Sequence, residues 1–247
     1  MLIDTHSHLN FEPFRDDFDE VIKHSFSENV FMINVGSNYE TSQKAVEIAE
    51  KYEKGVFAAI GLHPIHAKEK FKKEKYKELA KSEKVVAIGE IGLDYYKDYA
   101  VFREKQKEVF LEQLGLAKEL NLPVIFHCRM AHQDLLNILN SKLKGVIHCF
   151  TGTWGQAKKY LEMGFYLGIN GIMYKFDLKE VIEKTPLEKI LIETDCPYLT
   201  PPQAGVERNE PIFVKYITQD IAKIKNLEYQ KVAEVTTKNT KGLFGLK

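Results

Sequence analysis

The sequence predicts an α/β protein, a single (β/α)8 TIM barrel spanning residues 1–247. Three observations predict it. Short apolar runs alternate with helical stretches until eight strand–helix units have passed. The runs are continuously apolar rather than alternating, as in strands covered on both faces. The first strand ends in histidines, where a doubly wound open sheet would want a glycine-rich phosphate loop.

Each element follows in order. Leu2 and Ile3 open a short strand that passes into Asp4-Thr5-His6-Ser7-His8. Residues 16–28 carry Phe18, Val21, Ile22 and Phe26 at helical spacing. Residues 30–35 (VFMINV) form a buried-type strand ended by Gly36, and a helix over 39–54 stops at Gly55. The third strand, 56–60 (VFAAI), enters Gly61-Leu62-His63-Pro64. A charged helix over 73–81 leads to the fourth strand, 85–90 (VVAIGE). A long helix over 101–120 stops before Pro123. Then come strand 123–127 (PVIFH), helix 132–140, strand 145–148 (GVIH), helix 155–163, strand 164–169 (GFYLGI), helix 178–184 and strand 189–195 (KILIETD). Helices over 212–225 and 228–244 close the chain. No internal repeat, low-complexity tract or linker interrupts this order, so one domain is expected.

Composition narrows the function. Lysine plus arginine and aspartate plus glutamate number 35 each, which argues against a nonspecific coat on a nucleic-acid backbone but allows a local phosphate site. No apolar run is long enough to span a membrane, and Met1 leads directly into the first strand, so a cytoplasmic protein is expected. Three cysteines without a C-x-x-C pair argue against a disulfide framework or structural zinc knot. Cys128, Cys149 and Cys196 each follow a rim residue and are read as small apolar groups turned toward the packed helices. Nothing calls for an obligate protein partner.

Strand side chains alternate faces, so His6 and His8 point the same way, with Asp4 deeper on that face. Such a pair grips a metal ion or belongs to ordinary core; the rest of the chain decides. Barrel enzymes place their chemistry at the C-terminal ends of the strands. His6, His8, His63, Glu90, His127, His148 and Asp195 all fall there, five of the chain's eight histidines with two carboxylates. Imidazole with carboxylate suits Zn²⁺, Mn²⁺, Co²⁺ or Ni²⁺, and oxygen-rich sites suit Mg²⁺. So many donors fit two divalent ions about 3.5–4 Å apart, bridged by a carboxylate and a water that serves as nucleophile.

The ordered motifs carry a family resemblance. They are Asp4-Thr5-His6-Ser7-His8, Gly61-Leu62-His63-Pro64, Gly89-Glu90-Ile91-Gly92-Leu93-Asp94-Tyr95-Tyr96, His127-Cys128-Arg129, His148-Cys149-Phe150-Thr151-Gly152, Glu193-Thr194-Asp195-Cys196-Pro197 and Arg208-Asn209-Glu210-Pro211. The sequence resembles the TatD family of metal-dependent deoxyribonucleases, within the amidohydrolase-like barrel hydrolases. The resemblance implies that His6 and His8 bind one metal with Asp195, while His127 and His148 hold the second. Glu90 bridges the two, where many related hydrolases use a modified lysine. Asp195 is then general base or proton shuttle, and DNA the substrate, with 3′-end trimming of single strands. The chain departs from the family at the residue after His127, often serine, and in a shorter loop before Arg208. Both border substrate.

Among remaining residues, His63 and Arg129 are read as substrate-phosphate contacts, and Arg208 as an ion-paired residue ordering the last loop. Tyr95, Tyr96 and Trp154 either stack bases or pack. His24, His66 and His132 are read as surface residues. The alternative reading keeps the metals and changes the substrate to a carboxylic ester or amide, such as an aminoacyl ester.

Overall fold

The computed structural model of the chain describes residues 1–139 and 142–246. Eight parallel strands run in sequence order around one sheet: β1 (Leu2–Ser7), β2 (Val30–Val35), β3 (Val56–Ile60), β4 (Val85–Asp94), β5 (Val124–Arg129), β6 (Gly145–Ile147), β7 (Tyr166–Ile169) and β8 (Ile190–Ile192). The seam between β1 and β8 is closed by backbone bonds beyond the ends of the regular ladder. Asp195 N–H donates to His6 O at 2.8 Å and His8 N–H to Cys196 O at 2.9 Å. The result is a (β/α)8 barrel.

Among the described residues nine α-helices surround it: α1 (Phe18–Ser27), α2 (Tyr39–Glu50), α3 (Lys73–Leu79), α4 (Arg103–Leu120), α5 (His132–Ile138), α6 (Trp154–Glu162), α7 (Lys179–Lys184), α8 (Val214–Lys225) and α9 (Tyr229–Phe244). Local chemistry sets their ends. Asn38 and Thr153 cap α2 and α6 through reciprocal side-chain bonds with Thr41 and Gln156. Asn121 and Asn226 end α4 and α8 in the left-handed conformation. α5 ends at Ile138 with Leu139 extended, short of the expected span, whose last residue, 140, lies outside the described residues.

The barrel interior is layered. Period-two alternation puts Ile125 on the face of His127, Val146 on that of His148 and Leu191 on that of Glu193. These three join Ile33, Ala59 and Ala87 in one buried cluster with Leu243 and Phe244, so the end of α9 plugs the end of the barrel opposite the site. Above this apolar floor, polar side chains take over.

Several strands differ from expectation in their bounds. β4 runs four residues past Glu90, with a register shift against β5 between Ile88 and Ile91. Glu90 therefore projects from an irregularity within the strand rather than from its end. Gly92 makes the continuation possible: its φ is +151°, and a Cβ there would lie 2.0 Å from His127 O. β8 stops at Ile192 because Thr194 turns inward, its N–H and Oγ1 both bonding Asp4. Asp195 follows off the strand, at φ +60°. β6 ends at Ile147, one residue short of His148.

Candidate metal centre

The polar layer begins with Asp4, fully buried, which accepts from His6 N–H at 3.1 Å and from Thr194 N–H at 2.8 Å. Asp4 thus ties β1 to the Thr194 turn beneath the rim, and burial pushes its pKa up to about 8. Glu193 lies alongside. It accepts from Cys149 N–H at 2.7 Å and Asn170 Nδ2 at 3.0 Å, and its Oε1 lies 2.9 Å from His148 Nδ1. A Cβ on Gly168 would stand 2.4 Å from this carboxylate, so glycine leaves room for it.

On this layer stand the rim residues. His6 Nε2 lies 3.2 Å from His8 Nε2, 3.4 Å from Glu90 Oε2 and 3.9 Å from Asp195 Oδ1. His8 Nε2 and His148 Nε2 approach the same Asp195 oxygen at 3.4 and 3.7 Å. His148 Nε2 is also 3.7 Å from Glu90 Oε1, which His127 Nδ1 meets at 2.5 Å. Three overlapping groups place one ligand atom per residue close enough to share an ion: His6, His8 and Glu90; His6, His148 and Asp195; His63, Glu90 and His127. All of the predicted rim residues except Arg129 meet in this cluster.

The donor set tests whether a cation fits. His8 Nδ1–H donates to Val35 O at 2.8 Å, which leaves the Nε2 lone pair facing the cluster. His6 and His8 thus turn nitrogen atoms toward each other and toward two carboxylates, an arrangement that a shared cation satisfies. His63 differs. Its Nδ1 accepts from Ile65 N–H at 3.1 Å, so in the neutral ring Nε2 carries the proton and faces Glu90 Oε1 at 3.5 Å. That makes His63 a hydrogen-bond donor at the edge of the cluster rather than a lone-pair ligand.

Charge is distributed to match. Burial opposes ionisation of Glu90, yet the imidazoles of His63, His127, His148 and His6 outweigh it and hold the carboxyl well below its ordinary range. Asp195 is lowered despite burial by His148, His8 and His6. Burial opposes the charge on His127 and His148, but Glu90 and Asp94 lift His127 to about 9, and Glu193, Glu90 and Asp195 lift His148 to about 10. His6 stacks on His148 with ring centroids 3.5 Å apart and is pushed down by its own burial and by that neighbour.

Asp94 was not among the predicted site residues. It is 2% exposed, and its Oδ2 lies 3.1 Å from His127 Nε2 while Oδ1 accepts from Tyr96 N–H. It holds the far side of the imidazole whose Nδ1 faces Glu90. Its motif was visible in the sequence; its partner was not. Glu193 is a second such residue, behind His148.

Other expectations are corrected. His132 is buried rather than exposed, with Nδ1 3.3 Å from Cys128 Sγ and 3.1 Å from Tyr160 Oη. Cys149 lines the cavity instead of facing the helices, its Sγ donating to Asn170 Oδ1 at 3.5 Å. Tyr95 is buried against Asp134, and Trp154 packs at the start of α6 beside the core. Tyr96 alone of the three aromatics reaches the cavity, beneath the Arg129 guanidinium at 3.7 Å. Arg208 is ion-paired as expected, with Asp17 at 2.6 Å and Glu210 at 2.9 Å. His66 is half-buried and pairs with Glu69.

A parallel barrel with imidazoles and carboxylates gathered at the C-terminal rim is the architecture of a metal-dependent hydrolase. The chain belongs to the TatD-related DNase family: the model described as TatD related DNase matches residues 3–245. It is 43% identical over 254 residues to an uncharacterized metal-dependent hydrolase, YabD, of Bacillus subtilis, covering 99% of each chain. It is 36% identical over 261 residues to the protein named 3'-5' ssDNA/RNA exonuclease TatD of Escherichia coli K12, again covering 99% of each. The crystal structure of YJJV, a TatD homologue from Escherichia coli K12, superposes with a TM-score of 0.91 at 29% identity, covering 100% of this chain and 98% of that one.

Proposed function

We propose that this chain hydrolyses DNA phosphodiester bonds with two divalent cations, trimming single strands from the 3′ end in the cytoplasm. One observation carries the reading: the side chains of His6, His8, Glu90, His127, His148 and Asp195 converge within one rim cluster. The named exonuclease, matched over 99% of both chains, supports the choice of substrate. Three free thiols suit a reducing compartment.

In this reading His6, His8 and Asp195 would hold one ion and His127 and His148 the other, with Glu90 a ligand available to both. Bound divalent cations supply Lewis acidity and a water acidic enough to ionise near neutral pH. The protein's own groups do the rest. The Asp195 carboxylate, ionised throughout the physiological range, accepts the proton of the attacking water. His63, with its Nε2–H fixed by the Ile65 amide, donates to a substrate phosphoryl oxygen. Arg129, exposed at the mouth and laid over Tyr96, presents a planar fork to a phosphate.

The test is a panel in which chelator-stripped protein is given Mg²⁺, Mn²⁺ or Zn²⁺ and offered single-stranded DNA, duplex DNA, RNA and simple esters and amides. Cation-dependent shortening of single-stranded DNA is expected. Intact DNA alongside cleaved ester or amide would favour the alternative hydrolase and reject this reading.

A further inference from the structure

We infer that the mouth of the site grips only the terminal one or two nucleotides of a strand, so that dinucleotides are full substrates. The inference rests on the nuclease reading above. The cavity over the cluster has a volume of about 680 Å³, the scale of a small-molecule pocket rather than of a groove that tracks a polymer.

Its lining decides what it can hold. Arg129 is the one lysine or arginine among the described lining residues, whereas Glu90, Asp94 and Asp195 place three carboxylates at the bottom. Proteins that follow a single-stranded backbone do so with a continuous basic groove, each phosphate contact releasing counterions. With one arginine and three carboxylates among its described lining residues, this cavity offers no such track. Outside the lining, Lys97 Nζ stands 4.9 Å from the Tyr96 ring centroid and matches one further phosphate.

The mouth is apolar instead. Tyr99, Met130, Phe176 and Tyr198 are 39%, 71%, 54% and 54% exposed, and all line the cavity along with Tyr96. Tyr198 stands over the cluster, its ring centroid 6.5 Å from that of His8. Half of the exposed large apolar side chains among the described residues border this opening. Aromatic faces stack unpaired bases with little regard to sequence. A phosphate at Arg129 and the cluster, with one or two bases on these rings, uses every feature of the mouth.

The experiment compares kcat/KM for a deoxydinucleotide, a tetramer and a 12-mer with Mn²⁺, from 50 to 200 mM salt. Values within about fivefold across lengths are expected, with a log–log salt slope no steeper than about −2, fewer than three contacts at about −0.7 each. Tyr198→Ala and Phe176→Ala, both at exposed positions, are expected to raise KM for the dinucleotide about tenfold while Mn²⁺ affinity stays within twofold. A rise beyond fivefold with length, a steeper slope, or unchanged KM in both variants overturns the inference while leaving the nuclease reading intact. No hydrolysis at any length refutes the nuclease reading, and the inference falls with it.

Discussion

Asp94→Asn isolates the contribution of a residue that touches no cation in the proposed arrangement. The wild-type carboxylate accepts from His127 Nε2 at 3.1 Å and from Tyr96 N–H at 2.8 Å. The backbone at Asp94 is held independently, because Gln106 accepts from Asp94 N–H and donates to Asp94 O, both at 2.8 Å. An amide of the same shape keeps the Tyr96 bond and turns its NH₂ toward His127. Donor then faces donor, and the ring is driven to the tautomer that carries its proton on Nδ1, the atom facing Glu90. Loss of an outer partner of this kind typically weakens metal affinity or activity 10–100-fold, about 1.4–2.7 kcal/mol. Calorimetric titration of chelator-stripped protein with Mn²⁺ measures it, and the thermal melt should stay within a few degrees. Mn²⁺ affinity and turnover both within twofold of wild type would refute the argument that Asp94 sets the His127 tautomer.

Four further outcomes follow from the same geometry. Asp195→Asn removes a carboxylate that His6, His8 and His148 all approach and should abolish turnover, a drop of at least about 100-fold, with little change in melting temperature; steady-state kinetics checks this. Metal uptake near pH 7 should release about two protons, because His127 and His148 are lifted to about 9 and 10 and must deprotonate to ligate; titration in buffers of different ionisation enthalpy counts them. The same raised values mean that these two rings stabilise the metal-free fold fully below their ordinary pKa near 6.5. That contribution is lost as pH rises through 9 and 10, so apparent metal affinity should rise over the same window while apo stability falls. Cys149→Ser should leave bound metal, read by elemental analysis, unaltered: burial first, then Asp195 and Glu193, push its thiol well above the ordinary range, and its polar contact is to Asn170.

The barrel was legible because its strands are buried on both faces and so announce themselves as unbroken apolar runs. VFMINV and VFAAI became β2 and β3 at the expected residues. The discrepancies arise where the backbone leaves regular pairing to serve the site. The sequence reading ends the fourth strand at Glu90, yet Gly92 lets β4 continue against the His127 carbonyl. Glu193-Thr194-Asp195 reads as strand, yet Thr194 bonds to Asp4 from the other end of the chain. The convergence of the rim histidines could be anticipated because strand ends share one face of a barrel. Contacts made around each ring could not. Asp94 behind His127 and Tyr160 beside His132 depend on how β4 and α6 pack, which no local spacing encodes.

The account is tested most directly by titrating chelator-stripped protein, held above its dissociation constant, with Mn²⁺ while following a 3′-labelled single strand. Released labelled nucleotide should rise from near zero and level off at about two equivalents per chain. Release that ignores the added ion, a plateau at one equivalent, or a label retained on the strand throughout would contradict it.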